Sequence, residues 1–374
     1  MALQFAKRKA DIISSSNITV GIVGVGILGT AILEALNILN HLNNLNLMSD
    51  LHISIKCNDK YKINNNYNNY NIRHMLDCNI IFLCLPTPYN GNMNTNDNGN
   101  NDKMDCSYNL NSTYMDMDIN INMNMDTYIN TDMDTNIDTS GNLKYTNCYD
   151  KTELFNTIQE LNKYNYNGLI VIKSTIEPGY TEYITDIYPK MKIIHNPEFL
   201  TAKTATNDFL NQTQIILGIP MQMQMQHNAN ANANANANAN IRGLKETNGF
   251  DVIVNFYKIY FPNAHLSICN STESECMKIA CNSFYASKIQ FFTEIKLLCD
   301  TIHINYDNVK QLMLNNNWIN PMHTSIPGHD GKLSYGGACL PKDINALSSF
   351  MKQHNVPCAV INAVIEENKK MRKC

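Results

Sequence analysis

Paired cysteines are missing from this chain. Its 374 residues hold twelve cysteines, scattered with no C-x-x-C pair among them. That spacing argues against a structural zinc site and a disulfide scaffold, and it fits a reducing, cytoplasmic compartment. Charge is also scarce. Charged residues make up 17% and the formal net charge is -4, so neither nucleic acid nor an anionic membrane surface is an expected partner. Long hydrophobic runs are absent as well. The longest covers residues 80–85, far too short to cross a bilayer. Residues 1–16 carry basic side chains without an apolar stretch of signal-peptide length, so secretion is not expected. Aspartates crowd the region 89–147, yet no D-x-D-x-D-G loop with a closing glutamate occurs. No metal is expected.

What is present is enough apolar residue, 44%, for a sizeable core, and a length that suggests two domains. Strands are predicted at residues 17–23, 51–57, 79–85, 168–173, 192–195, 214–218 and 265–269. Helices are predicted at 30–39, 151–164, 250–260, 271–302 and 345–371. Strand and helix alternate up to residue 270, which predicts an α/β fold, a Rossmann-type doubly wound parallel sheet over 17–270. The pattern then becomes helical, predicting a smaller all-helical domain over 271–374. Two low-complexity stretches interrupt the order. About 90–147 is an Asn/Asp/Met/Tyr mixture, and about 221–245 opens on Met-Gln and Ala-Asn repeats. Neither offers an apolar face, so both are expected to be flexible surface insertions, like the N-terminal residues 1–16.

The first predicted strand runs into Gly24-Val25-Gly26-Ile27-Leu28-Gly29. This is G-x-G-x-x-G between strand and helix, the setting in which the motif binds a dinucleotide rather than merely turning the chain. Gly24 would make the turn, Gly26 would admit the pyrophosphate, and Gly29 would let helix and strand pack closely. Asp59 follows the second strand and is the candidate for the adenosine ribose hydroxyls, favouring NAD over NADP. A solvated turn aspartate is the alternative. Pro86-Thr87-Pro88 ends the third strand, and Ser174-Thr175-Ile176-Glu177-Pro178-Gly179 ends the fourth. Both stand at carboxyl ends, where α/β sheets keep ligands.

Near the end stands Tyr335-Gly336-Gly337-Ala338-Cys339-Leu340-Pro341-Lys342-Asp343. Its thiol reads either as a nucleophile or as a buried cysteine after a Gly-Gly turn. The long helix is expected to be capped by Ser271 with Ser274 or by Thr272 with Glu275, the second pair at capping-box spacing. Lys278 and Asn282 share one of its faces. Taken alone, Lys278 reads as an ion-pair partner of Glu275 and Asn282 as a solvated polar residue.

Six blocks change that balance: GIVGVGILG, DCNIIFLCLPTP, VIKSTIEPGYTE, HNPEFLTAKTATNDFLNQTQIILG, ESECMKIACNSFYASKIQFFTEIKLLCD and PGHDGKLSYGGACLPKD. In this order they resemble the UDP-glucose/GDP-mannose dehydrogenase family, and within it the UDP-glucose 6-dehydrogenases. The resemblance implies a four-electron oxidation in which two NAD molecules take UDP-glucose to UDP-glucuronate through a cysteine thiohemiacetal and thioester. It makes Cys339 the nucleophile, Lys278 and Asn282 the stabilisers of alkoxide and oxyanion, and Asp343 an acid-base group. It makes Glu198 the carboxylate that activates water and Thr175 the hydroxyl that holds it. Pro86, Thr87, Pro88 and Thr175 would line the nicotinamide side. Glu198, Phe199, Leu200, Tyr335, Gly336 and Gly337 would meet the sugar nucleotide with Lys278 and Asn282, and the helix from Ser271 would form a homodimer.

Two departures stand out. The family usually has a second glutamate four residues after Glu198, where this chain has Ala202. Most members also continue into another α/β domain that holds much of the nucleotide, whereas here 35 residues follow Cys339. Either a short form or a fragment or decayed copy would account for this, and the intact set of Cys339, Asp343, Lys278, Asn282 and Glu198 makes a short working form the expectation. The alternatives are oxidation of another sugar nucleotide (GDP-mannose or a UDP-N-acetylhexosamine), a non-catalytic NAD-binding remnant, or a two-electron dehydrogenase of the β-hydroxyacid type.

Overall fold

A computed structural model describes residues 18–44, 52–61, 71–90, 148–224 and 249–372. The expected flexible segment 1–16 lies outside the described residues, as do 91–147 of the segment expected at about 90–147 and 225–245 of the one expected at about 221–245. The chain opens with β1 (Ile18–Val23), α1 (Ile27–Asn44), β2 (Ile53–Asn58), a 3-10 turn (Ile72–Met75) and β3 (Ile80–Leu83). It continues with α2 (Thr152–Lys163), β4 (Leu169–Ile172), α3 (Tyr180–Ile187), β5 (Lys192–His195), α4 (Ala205–Leu210) and β6 (Gln214–Ile219). Then come α5 (Gly249–Tyr260), β7 (His265–Asn270), α6 (Ser271–Thr301), α7 (Tyr306–Leu314), α8 (Cys339–Gln353) and α9 (Ala359–Arg372).

One seven-stranded sheet has the order β2-β1-β3-β4-β5-β6-β7. The central strands are apolar along their whole length because both faces are covered. Ile80, Phe82, Leu169 and Val171 face the layer holding α1 and α5, where Ile32, Leu36, Ile253 and Phe256 meet them. Ile81, Leu83, Ile170 and Ile172 face the opposite layer, with Leu154, Ile158 and Ile184. Each such fully buried side chain contributes roughly 1.5–3 kcal/mol of transfer free energy. The first five strands are parallel as expected. β6 instead runs antiparallel to β5, and β7 is parallel to β6. A strand covered on both faces has the same apolar pattern in either direction, so sequence could not distinguish them.

The chain passes from β1 out to β2 and then back to β3 on the other side of β1. This creates a switch point whose crevice opens at the carboxyl ends of β1 and β3. The large stretch after β3 leaves this scaffold intact. Tyr89 bridges Tyr149, Asn90 N donates to Cys148 O at 2.9 Å, and Asp150 N to Pro88 O at 2.8 Å. The chain thus returns where it left. The second stretch begins later than expected: residues 221–224 are helical, and Met223 packs on the core.

β7 runs directly into α6, and this corrects the expected cap. Asn270 is the N-cap, accepting from Thr272 N at 2.8 Å, while Glu273 accepts from Asn270 N at 2.9 Å. The capping box therefore sits one strand residue earlier than the serines and threonine suggested. Glu275 is not the partner of Lys278. It is buried and accepts from Gly179 N, Thr181 N and Thr181 Oγ1. The final helical stretch is two helices, α8 and α9, separated where Asn355 adopts φ 56° ahead of Pro357. α8 begins at Cys339 itself, earlier than expected. The short α7 was not foreseen; Tyr306 is its one fully buried residue.

Candidate active site

A cavity of about 500 Å³ opens at the switch point. Gly24, Gly26, Ile27 and Leu28 line it together with Asp59, Pro86, Thr87, Lys173, Thr175, Glu198 and Lys342. The N-terminus of α1 stands at its wall, so backbone amides and the helix dipole favour a phosphate there. Gly29 lies just behind. A Cβ at this position would fall 2.0 Å from Gly24 O, so only glycine lets the helix seat this close to the turn. A Cβ at Gly26 would meet nothing within 4 Å, leaving the space that a pyrophosphate needs. Asp59 holds the same turn: Val25 N donates to its Oδ2 at 2.5 Å and Tyr61 N to its Oδ1 at 2.9 Å. These features fit a dinucleotide such as NAD.

At the far end of the cavity Thr87 Oγ1 donates to Thr175 O at 2.6 Å, and Ser174 Oγ to Leu85 O at 2.7 Å. These bonds tie the loops after β3 and β4 together. Pro88 is not among the lining residues; it belongs to the base of the large stretch.

Two polar clusters meet beside that end. In one, Lys278 Nζ donates to Glu198 O at 2.6 Å and stands 3.7 Å from Glu198 Oε1. The other oxygen of Glu198 accepts from Leu200 N at 2.5 Å, and the Phe199 ring lies under Lys278 with Nζ 5.1 Å from its centroid. In the second cluster, fully buried Asp343 is the hub. It accepts from Asn282 Nδ2 at 2.6 Å, Tyr149 OH at 2.8 Å and Lys342 Nζ at 2.5 Å. Burial, then the neighbouring Asp343 charge, push the Tyr149 phenol well above its ordinary value. Tyr149 is therefore a neutral donor.

Cys339 is exposed, the first residue of α8. Protein around the thiol raises it above the ordinary 9.0; Lys342 and Lys278 pull it down, while Asp343 and Glu198 push it up. The four charges acting on the sulfur thus belong to the two clusters. The thiol therefore keeps its proton near neutral pH, while Lys342 and the N-terminus of α8 act in the opposite direction, favouring negative charge on the sulfur. Peptide-resolved iodoacetamide labelling of Cys339 will therefore show a midpoint above that of a free thiol, and Lys342→Met will move it higher. A midpoint below that of a free thiol would contradict this account.

Tyr335, Gly336 and Gly337 stand apart from the cavity lining. Tyr335 is buried among Ala286, Ile344 and Ile365. Gly336 backs onto the guanidinium of Arg372, which bonds Leu333 O, Ser334 O and Asp330. Gly337, at φ 79°, supplies the left-handed turn that starts α8 and presents the thiol. Sequence reasoning overlooked Tyr149, Lys173 and Lys342. Lys342 lay within the quoted cysteine segment, and Lys173 preceded Ser174, but nothing local marked Tyr149.

Among the described residues no helix is long and apolar enough to cross a membrane. Residues 272–370 match the central domain of the UDP-glucose/GDP-mannose dehydrogenase family, and residues 128–233 match that family's NAD binding domain. A UDP-glucose 6-dehydrogenase of Rickettsia prowazekii is 30% identical over 231 residues, covering 58% of this chain and 44% of that protein. The chain thus spans less than half the length of that relative. A UDP-glucose dehydrogenase from Pyrobaculum islandicum superposes with a TM-score of 0.62 at 15% identity, covering 96% of this chain and 69% of that one. A UDP-D-ManNAc dehydrogenase from Pyrococcus horikoshii gives 0.54 at 15% identity, with 95% and 69% covered. At such identities the superpositions speak for the fold alone. The two domain matches together cover more than half of the sequence, and the chain belongs to the UDP-glucose/GDP-mannose dehydrogenase family, with NAD as its cofactor.

Proposed function

We propose that this chain carries the NAD-binding and thiol-bearing parts of a sugar-nucleotide dehydrogenase that oxidises UDP-glucose at C6 to UDP-glucuronate. The observation that carries the reading is Cys339, exposed and acted on by Lys278, Glu198, Lys342 and Asp343, which three separate stretches of chain contribute. The cavity would hold NAD as hydride acceptor, a fresh molecule being needed for each of the two oxidations. Asp343, with Lys278 through a water, takes the proton of the alcohol, and Lys278 and Asn282 stabilise the oxygen that becomes negative. Cys339 sulfur adds to the aldehyde, holding it as a thiohemiacetal whose oxidation leaves a thioester. Glu198 then activates water to release the carboxylate and the thiol, with Thr175 holding the water. With Ala202 in place of a second carboxylate, Glu198 does this alone.

Three further proposals complete the reading. The boundary between the nucleotide-binding domain (17–270) and the helical domain (271–374) falls at the β7–α6 junction. α6 pairs with a second copy, because exposed Phe284, Phe291 and Leu298 repeat every seven residues along it. A cytoplasmic location suits a free thiol nucleophile, and the ten described cysteines are all unpaired.

The test is incubation of the purified chain with NAD and UDP-glucose. The expected result is UDP-glucuronate with two NADH formed per sugar. Turnover of GDP-mannose or a UDP-N-acetylhexosamine instead would overturn the substrate. NAD binding with no NADH from any sugar nucleotide would leave the non-catalytic reading.

A further inference from the structure

Four lysines stand at the cavity and the two clusters beside it, and three are matched with a carboxylate. Lys60 reaches Glu153 at 3.1 Å, Lys342 reaches Asp343 at 2.5 Å, and Lys278 stands 3.7 Å from Glu198. Lys173 is the exception. It directly follows β4, lines the cavity, and is only 4% exposed. Among the described residues its ammonium has no carboxylate within 4 Å and one side-chain hydrogen bond, to Asn196 Oδ1 at 2.9 Å. That oxygen also accepts from Tyr257 OH, while Asn196 Nδ2 donates to Ile216 O. Asn196 is therefore held from both sides and is neutral. Among the described residues no other group forms an ion pair with Lys173, and Lys278 adds a like charge nearby. Cys84, after β3, is a thiol pushed up to about 12 by burial, and His195 on β5 is driven down to about 3 by burial and is neutral. Tyr257 on α5 is raised by burial and keeps its proton. Glu198 acts on Lys173, but its carboxylate already faces Lys278.

An uncompensated buried cation is costly, and a fold retains it where something else uses the field. The cavity it faces fits a dinucleotide, and the loops at its end of the cavity are those proposed for the nicotinamide. The oxidised ring carries a positive charge that hydride transfer removes. We propose that Lys173 tunes the bound cofactor through space: its ammonium disfavours the cationic oxidised ring relative to the neutral reduced ring, making bound NAD a stronger hydride acceptor. This rests on the reading of the cavity as the NAD site. Burial lowers Lys173 to about 8, so the charge is present below that pH and lost as pH rises through it.

The experiment measures dissociation constants of NAD and NADH near neutral pH for the unaltered chain, Lys173→Met and Lys173→Arg. Lys173→Met is expected to shift the NAD:NADH affinity ratio toward NAD by roughly tenfold, the scale of one unit charge acting across a low-dielectric site. Lys173→Arg is expected to retain the original ratio. A purely structural role for Lys173 would weaken both nucleotides alike, so an unchanged ratio in a folded Lys173→Met overturns the proposal. Should that variant not fold, Cys339→Ser with Lys173 in place decides, since it removes the exposed thiol whose own titration could be mistaken for that of Lys173. Its ratio must move toward NAD as pH passes about 8, and a flat ratio overturns the proposal. If the unaltered chain binds neither nucleotide, the cofactor site is the reading that fails.

Discussion

Cys339→Ser is expected to lower formation of the sugar acid by at least about 10³-fold while leaving NAD affinity within about twofold, because the nucleophile is lost and the cavity wall is not. The split follows from position. The cavity is lined by the β1–α1 turn and the loops after β3 and β4, and Cys339 is outside that lining. A serine hydroxyl in the same place is a far poorer nucleophile than a thiolate near neutral pH, even with Lys342 and the start of α8 beside it. Any residual oxidation should stop after one hydride, so the NADH yield per sugar consumed should fall from two toward one. Single-turnover NADH absorbance, paired with product analysis, reads both numbers. Undiminished two-fold stoichiometry in the serine variant would remove the thioester from the mechanism.

Asp343→Ala is expected to destabilise the fold by about 3–5 kcal/mol, the range for stranding buried partners of a charged hub. The carboxylate is fully buried, and Tyr149, Asn282 and Lys342 all donate to it. Removing it leaves a phenol, an amide and an ammonium without their acceptor. It also unties residue 149 from α8 and α6, across 194 positions of sequence. Asp343→Asn keeps the volume but turns one acceptor into a donor facing Asn282 or Tyr149, so a smaller loss of about 1–3 kcal/mol is expected. Urea denaturation followed by circular dichroism measures both. If the alanine variant loses less than about 1 kcal/mol, water has replaced the carboxylate as acceptor for its three donors and Asp343 is not a structural hub.

Much of the nucleotide half was legible because its determinants are local. Residues 80–83 and 169–172 are apolar throughout, which a strand covered on both faces requires. The Gly24, Gly26 and Gly29 spacing carries its own geometry. The candidate cluster was legible only through the family resemblance. Lys278 and Asn282 at four-residue spacing also suit an exposed helix face, and residue type alone favours a structural cysteine. The errors share one cause. Whether Asn270 or Ser271 caps α6 depends on where β7 ends. The direction of β6 and the choice of Glu275 for Gly179 and Thr181 depend on neighbours far away in the chain.

Sequence by itself determined the βαβ alternation, the phosphate-binding turn and the two compositional interruptions. Tertiary structure alone decided that Tyr149 closes onto Asp343, that Lys342 and Lys278 act on Cys339 from opposite clusters, and that Lys173 has no carboxylate within 4 Å among the described residues. Backbone preference and apolar periodicity are set over a few residues, so they can be read along the chain. The charge balance of a buried site is set by which distant side chains fill the space around it, and only the packed fold decides that.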